Sequence, residues 1–373
     1  MKESIYNEQS KSAFLIGIKD EKMSIKKAES LLKELEGLAN TLELDIKASE
    51  IVKLRERHPR YGMGTGKADE ISEKAKALEV DCIVFDRDLS PSQQRNWETL
   101  TGISVIDRQE LIIQIFASRA STREAVLQVN LAELNYALPR LQHKYINLSR
   151  QRGGRYGTRG EGETRLETDR RLVEKRIKQM EKELEKVKQQ RQVQRRQRER
   201  QAMPVCALVG YTNAGKSSVL NILTGAGVLA EDKLFATLDP VSRRLELPNG
   251  GRTLLVDTVG LIRQLPHNLV NAFRSTLEEV KHADILINVL DSSDEEIHSH
   301  YETTLSVLRE LGADSIPMII LLNKIDKLKI ETEREDLIND FPGSLSFSAI
   351  KNGEGHKILC EKIETILGSK HNA

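Results

Sequence analysis

Cysteine is scarce in this chain: Cys82, Cys206 and Cys360 are the only three in 373 residues, widely spaced and each in an apolar or helical setting. That spacing supplies neither a disulfide framework nor the paired ligands of a zinc site, and it points to buried thiols in a reducing cytoplasm. An excess of either charge is also missing. The 57 Lys and Arg nearly cancel the 56 Asp and Glu, leaving a formal net charge of +1. Affinity for a polyanion must therefore come from local clusters, not from the global field. No apolar run approaches the ~20 residues that span a bilayer, and the start, Met1-Lys2-Glu3-Ser4, has none of the features of a secretory signal. What remains is a chain expected to be cytoplasmic, with no membrane span, and long enough for two or three domains.

One octapeptide stands out. Gly210-Tyr211-Thr212-Asn213-Ala214-Gly215-Lys216-Ser217 has the spacing of a P-loop and follows Val205-Cys206-Ala207-Leu208-Val209, an apolar run that reads as a buried strand. Successive backbone N–H groups of such a loop form an anion nest at a helix N-terminus, where unsatisfied donors and the helix dipole both favour phosphate. Gly210 and Gly215 supply conformations that a Cβ would forbid. Lys216 would reach the β- and γ-phosphates and the Ser217 hydroxyl would bind Mg2+; Ser218 is counted with the nucleotide-binding residues.

The partner motifs follow in order. Arg252-Thr253-Leu254-Leu255-Val256-Asp257 reads as a strand ending in a carboxylate, then Thr258-Val259-Gly260. Asp257 would sit near Mg2+ and the Gly260 N–H would meet the γ-phosphate and sense its loss. Between these motifs, in Phe235-Ala236-Thr237-Leu238-Asp239-Pro240, Thr237 is the candidate switch ligand that closes on Mg2+ only in the triphosphate state. The run Pro317-Met318-Ile319-Ile320-Leu321-Leu322 leads into Asn323-Lys324-Ile325-Asp326 at a strand's C-terminal end, where open α/β sheets bind ligands. Asp326 can accept from guanine N1–H and the exocyclic amine, a donor pair adenine lacks. Asn323 would orient the loop, the Lys324 stem would lie over the base, and Ser348-Ala349-Ile350 would form the last guanine-contacting loop. GTP and GDP are thus the expected ligands.

Residues 12 to about 120 alternate strands and amphipathic helices: Phe14 to Ile18, a helix near 23 to 38, Val80 to Phe85, a helix from Ser92, and Ile103 to Ile106. That alternation predicts a small parallel α/β domain. The segment Tyr61-Gly62-Met63-Gly64-Thr65-Gly66-Lys67 fits neither a P-loop nor a dinucleotide fingerprint and reads as a flexible glycine loop. Next, Leu127, Leu131, Leu134, Leu138, Leu141, Tyr145 and Leu148 recur at steps of four and three, as do Val173, Ile177, Met180, Leu184 and Val187. Two such seams predict an antiparallel helical hairpin whose stripes cover each other within one chain, which favours a monomer. Pro139 is expected to kink or end the first helix. The tip, 150–165, holds five glycines, five arginines and one tyrosine, and 170–200 carries 13 Lys/Arg against 5 Asp/Glu. This local excess predicts an RNA-binding arm, with Arg150, Arg152, Arg155, Tyr156, Arg159 and Arg165 as contacts.

The fold class that results is α/β: a small N-terminal α/β domain over 1–122, a long helical hairpin over 123–200, a Ras-like P-loop GTPase α/β domain over 201–368 and a tail over 369–373. Segments outside the general GTPase motifs make the match more specific. Phe85 to Glu98, Gly157 to Gly160, Leu166 to Arg171 and Leu265 to Glu279 resemble the HflX family of ribosome-associated GTPases, over nearly the whole chain. The resemblance implies binding to the large ribosomal subunit near the peptidyl-transferase centre and splitting of stalled or idle ribosomes in the GTP state, the glycine-rich tip probing ribosomal RNA. Two departures are expected: Glu161 where the family pattern has proline, and no long C-terminal extension. The residue after the Asp-x-x-Gly motif is Leu261, which cannot orient water as the Gln of Ras-like enzymes does, so hydrolysis without a partner should be slow. Asn213 resembles the Asn that in several GTPases lacking that Gln helps coordinate K+; a loop-stabilising amide is the other reading. The alternatives to ribosome splitting are a GTPase of ribosome assembly or RNA modification, and a nucleotide-dependent RNA-binding scaffold.

Overall fold

A computed structural model describes residues 11–56, 58–144, 159–199, 203–227, 231, 233–263, 279–350 and 355–371. The chain divides into two compact units, Met1–Ser118 with Val129–Lys182, and Arg119–Gln128 with Glu183–Ala373. No helix among the described residues is long and apolar enough to cross a membrane.

The first unit contains β1 (Ser12–Lys19), α1 (Ile25–Thr41), β2 (Asp45–Lys53), α2 (Thr65–Ala77), β3 (Cys82–Phe85), α3 (Pro91–Thr101), β4 (Ser104–Asp107) and α4 (Arg108–Arg119). The strands form an all-parallel sheet in the order β2-β1-β3-β4. β3 and the interior of β1, Ala13 to Ile18, are apolar and buried, as central parallel strands with both faces covered should be. Helix boundaries follow local chemistry: Ser90 and Gln93 close a capping box on α3, with Pro91 at the first helical position. The single tryptophan, Trp97, is fully buried on α3, stacks edge-on against Tyr61 and donates from Nε1 to the Tyr61 carbonyl at 3.0 Å.

Three expectations need correcting in this unit. β2 and α2 were not legible; β2 is an edge strand whose faces alternate between exposed and half-buried, so its apolar signal is diluted. The glycine segment is anchored rather than flexible. Tyr61 and Met63 are buried, and Lys67, inside α2, pairs with Glu50 at 2.9 Å and Glu70 at 2.7 Å. The leucine seam of the first hairpin helix is not its main buried face. In α5 (Arg123–Lys144) the seam residue Leu127 is buried but Leu131, Leu134, Leu138 and Leu141 are only half-buried, while Ala125, Val129, Ala132 and Tyr136, off the seam, are buried. Tyr136 shows why: its hydroxyl donates to the carboxylates of Asp107 (3.1 Å) and Glu110 (3.0 Å), and the Arg140 guanidinium lies 3.4 Å over its ring. A polar network thus overrides the apolar stripe. Of the two outcomes expected at Pro139, an end to the helix is excluded, since α5 runs on to Lys144 with Pro139 inside it. The second seam holds: in α6 (Arg159–Glu199) Ile177 and Leu184 are buried and Val173, Met180 and Val187 half-buried.

In the second unit β5 (Val205–Val209), α7 (Lys216–Thr224), β6 (Val241–Glu246), β7 (Arg252–Asp257), β8 (Ile285–Asp291), α8 (Ile297–Leu311), β9 (Met318–Asn323), α9 (Glu331–Asp340), β10 (Leu345–Ser346) and α10 (His356–His371) follow in order. The sheet order is β10-β9-β8-β5-β7-β6, parallel except for β6. One core packs Cys206, Leu208, Val219, Leu220, Ile287 and Leu359 on one face; Ala207, Val209, Leu286 and Leu308 pack on the other. Because β5 is flanked by β7 and β8, its C-terminal end lies where the connections diverge to opposite faces, the place where such sheets hold ligands.

Trp97 is the anchor of its unit. Trp97→Ala is expected to cost about 3–5 kcal/mol, read as a lower urea midpoint by far-ultraviolet circular dichroism; an unchanged midpoint would show that the Tyr61–Trp97 contact is dispensable.

Candidate functional site

The loop between β5 and α7 is shaped by glycines. Gly210 has φ +140° and Gly215 φ +93°. A Cβ on Gly210 would lie 2.3 Å from the Val289 carbonyl oxygen of β8, and one on Gly215 would lie 2.3 Å from the Asn323 amide nitrogen of β9. Asn213 also adopts a left-handed φ, +61°, which asparagine tolerates better than most residues. Gly215 caps α7, so the N-terminus of that helix opens where the loop ends. The cleft is a cavity of about 300 Å³ lined by Thr212, Asn213, Lys216, Ser217 and Ser218 from this loop.

Lys216 is almost wholly buried there. Its Nζ donates to the carbonyls of Gly210 (3.2 Å) and Tyr211 (2.8 Å). Burial pulls its pKa down to about 8, against the Asp257 carboxylate, which raises it; the nearby Lys324 lowers it further. Asp257, at the end of β7, is fully buried. Burial holds its carboxyl above the usual range although Lys216 and the Ser217 hydroxyl oppose that shift. Ser217 Oγ lies 2.6 Å from Asp257 Oδ2 and 2.7 Å from Thr237 Oγ1. The other oxygen, Asp257 Oδ1, is buried with no hydrogen-bond partner. Three oxygen donors converging around an orphaned carboxylate atom match the needs of a hard divalent cation such as Mg2+.

The far end of the cleft is set by β9. Asn323 Nδ2 donates to the Ala214 carbonyl at 2.9 Å and ties β9 to the loop. Lys324 takes φ +61°, and its Nζ reaches the Asn213 carbonyl at 2.9 Å and Asp291 at 2.7 Å. Asp326 and Ala349 line the cavity, and the buried Ser348 donates to Asp326 Oδ1 at 2.5 Å. Gly260 closes the third side: a Cβ there would sit 2.6 Å from Thr212 Cα and 3.2 Å from Lys216 Nζ. The arrangement offers a phosphate nest, a cation-binding oxygen set and a carboxylate at the far end of one cleft.

Comparison with known proteins agrees with this geometry. Three family profiles match successive parts of the chain: GTP-binding GTPase N-terminal over residues 29–117, GTP-binding GTPase Middle Region over 119–198, and 50S ribosome-binding GTPase over 205–324. The GTPase HflX of Akkermansia muciniphila is 47% identical over 368 residues, covering 96% of this chain and 84% of that one. The chain belongs to the HflX family. The GTPase HflX of Escherichia coli is 46% identical over 298 residues, covering 80% of this chain and 70% of that one. A solved structure described as SsGBP in complex with GDP is 26% identical, with a TM-score of 0.53, covering 96% of this chain and 98% of that one. As an HflX protein with a P-loop GTPase fold, the chain is a GTP-hydrolysing enzyme that binds guanine nucleotides.

In this HflX chain some motif residues lie behind the cleft. Ala214 is buried and serves through its carbonyl. The Tyr211 ring is stacked on His300 of α8, with centroids 3.7 Å apart, and its hydroxyl accepts from the Arg263 N–H at 2.9 Å. Leu261 turns into the apolar core beside Val209 and Val280. Its backbone pairs with the phosphate loop instead, the Leu261 N–H donating to the Gly210 carbonyl and the Leu261 carbonyl accepting from the Thr212 N–H at 2.7 Å. Phe235 was not singled out by the sequence. It is buried with φ +56°, and its N–H donates to Thr212 Oγ1 at 2.8 Å, anchoring the segment that carries Thr237. No periodic or motif signal marks it, since both its conformation and its partner are tertiary. Of the expected RNA contacts, Arg150, Arg152, Arg155 and Tyr156 lie outside the described residues, and Arg159 and Arg165 fall in the opening turns of α6 rather than in a loop.

Gly210→Ala must push the loop away from β8. The expected cost is about 3 kcal/mol or more, seen as a lower Tm together with loss of GDP binding by fluorescent-nucleotide titration; a variant that melts and binds normally would contradict the close approach.

Proposed function

We propose that this HflX protein is a nucleotide-gated factor that binds the large ribosomal subunit and splits stalled or idle ribosomes. In the GTP state Lys216 lies against the β- and γ-phosphates, the Gly260 N–H meets the γ-phosphate, and Asp326 reads the guanine edge with Asn323, Lys324, Ser348 and Ala349 shaping the base pocket. Ser217 and Thr237 would hold Mg2+ with Asp257 beside them, and the cation would supply neutralisation of charge developing on the phosphates. Thr237 closes only with triphosphate, so hydrolysis releases it. The observation that supports this reading is the Ser217–Thr237–Asp257 oxygen cluster, with Thr237 2.7 Å from Ser217: if these oxygens share one cation, a phosphate that completes its ligands would fix the position of Thr237.

The ribosomal partner is supported by chemistry and kinship. Residues 170–200 hold 13 Lys/Arg and 5 Asp/Glu, an excess suited to a phosphate backbone, and the profile matched over 205–324 is described as a 50S ribosome-binding GTPase. Leu261, buried and turned from the cleft, positions no water, so activation comes from the ribosome and from an ion near Asn213. The site of action is the cytoplasm, and the chain acts as a monomer.

GTP hydrolysis measured with and without purified large subunits is expected to rise about tenfold or more with them, and deletion of 150–165 should abolish the gain. No stimulation would favour the assembly or RNA-modification reading. Replacing potassium by sodium at equal ionic strength is expected to slow turnover severalfold; equal rates would assign Asn213 to loop stabilisation alone.

A further inference from the structure

Asp239 stands two residues after Thr237 and two before β6, and its carboxylate collects four hydrogen bonds from two consecutive residues of a distant segment. Ser121 donates its N–H (3.1 Å) and hydroxyl (2.6 Å), and Thr122 its N–H (3.1 Å) and hydroxyl (2.5 Å). Thr122 is at the same time the N-cap of α5. Its Oγ1 accepts from the Ala125 N–H at 3.2 Å and its carbonyl from the Val126 N–H at 3.0 Å. A hydroxyl has one proton and two lone pairs, so one oxygen can close the helix on one side and hold the switch segment on the other. A carboxylate at the positive end of a 22-residue helix is favoured by the helix dipole as well.

Other contacts reinforce the joint. Arg119 pairs with Glu231 at 2.7 Å, and Glu231 itself lines the nucleotide cavity. Between Thr237 and Asp239 lies only Leu238, which is buried. Two residues of chain span at most about 7 Å, so Asp239 cannot shift far without pulling Thr237.

We infer that Asp239 is the positioning residue of the switch segment: by clamping the Ser121-Thr122 turn it fixes Thr237 over Ser217 and Asp257, and it makes the first turn of α5 read the nucleotide state. This deepens the nucleotide-switch reading above and rests on Thr237 closing with GTP. Both halves of the device are present in one arrangement, since Thr237 touches Ser217 at 2.7 Å while the clamp is made. Loss of the γ-phosphate frees Thr237, loosens Asp239 and leaves the N–H groups of Ser121 and Thr122 to water. The clamp demands a carboxylate. An asparagine would turn an N–H2 toward donors that need an acceptor.

The test uses the full chain loaded with GDP or with a non-hydrolysable GTP analogue. Hydrogen exchange over 119–128 is followed in the wild type, Asp239→Asn and Thr237→Ala, together with steady-state GTP hydrolysis and Tm. In the wild type, exchange over 119–128 is expected to be slower with the analogue than with GDP. Asp239→Asn should erase that difference and lower kcat about tenfold or more, with KM for GTP changed less than about threefold, because Asp239 does not touch the nucleotide. Paired Ser121→Ala and Thr122→Val substitutions should reproduce the effect from the other side, which covers the case in which Asp239→Asn fails to fold. Identical wild-type exchange in both states, a difference that persists in both sets of variants, or an unchanged kcat would overturn the clamp. Thr237→Ala separates the two ideas. Normal hydrolysis in that variant removes the Thr237 reading, and the clamp is then decided by the exchange difference alone.

Discussion

Around the cleft of the GTPase unit, chain segments cross at three glycines more closely than a side chain allows. Gly210 faces the Val289 carbonyl, Gly215 faces the Asn323 amide, and Gly260 faces Thr212, each at a distance where a Cβ would overlap its neighbour. These contacts join the C-terminal ends of β5, β7, β8 and β9 around one cleft. Because a Cβ has no room at these points, the loop is held against the sheet, with Lys216 and the N-terminus of α7 at the same cleft, and phosphate affinity follows from that placement. The rest of the site is hung on this frame: Asn323 fastens β9 to Ala214, Thr212 holds Phe235, and Leu261 pairs with the loop through its backbone.

Within that frame two opposite charges are held out of water without touching a ligand of their own. Lys216 is drawn down to about 8 by its burial, and Asp257 is pushed up by its burial. Each is a group whose charged form is costly until an opposite charge arrives. A nucleotide carrying phosphates for the lysine and a cation for the carboxylate would relieve both at once, so the cleft is electrostatically suited to such a pair.

The first unit obeys a different logic. Its central strands are largely apolar and its sheet parallel, yet the placement of α5 follows polar anchors rather than the leucine stripe. Tyr136, Arg140, Asp107, Glu110 and Gln94 satisfy one another, and Arg108 is buried against Asp86 and Glu34. Such networks are costly when incomplete and specific when complete, which explains why a heptad reading finds the helix but not its main buried face.

What the sequence by itself determined is the chemistry and its order: the Gly-x-x-x-x-Gly-Lys-Ser spacing after an apolar strand, a strand ending at Asp257, and Asn323 to Asp326 after another strand. These were legible because each depends on residues adjacent in the chain, where periodicity and motif spacing act. Only the tertiary structure decided which remote groups meet. The edge strand β2 and helix α2, the wedge at Phe235, the Tyr211–His300 stack, and the joining of Asp239 to Thr122, 117 positions away, leave no local trace. Their partners are chosen by how the chain packs in three dimensions, and one position's residue type carries almost no information about a neighbour that distant in sequence.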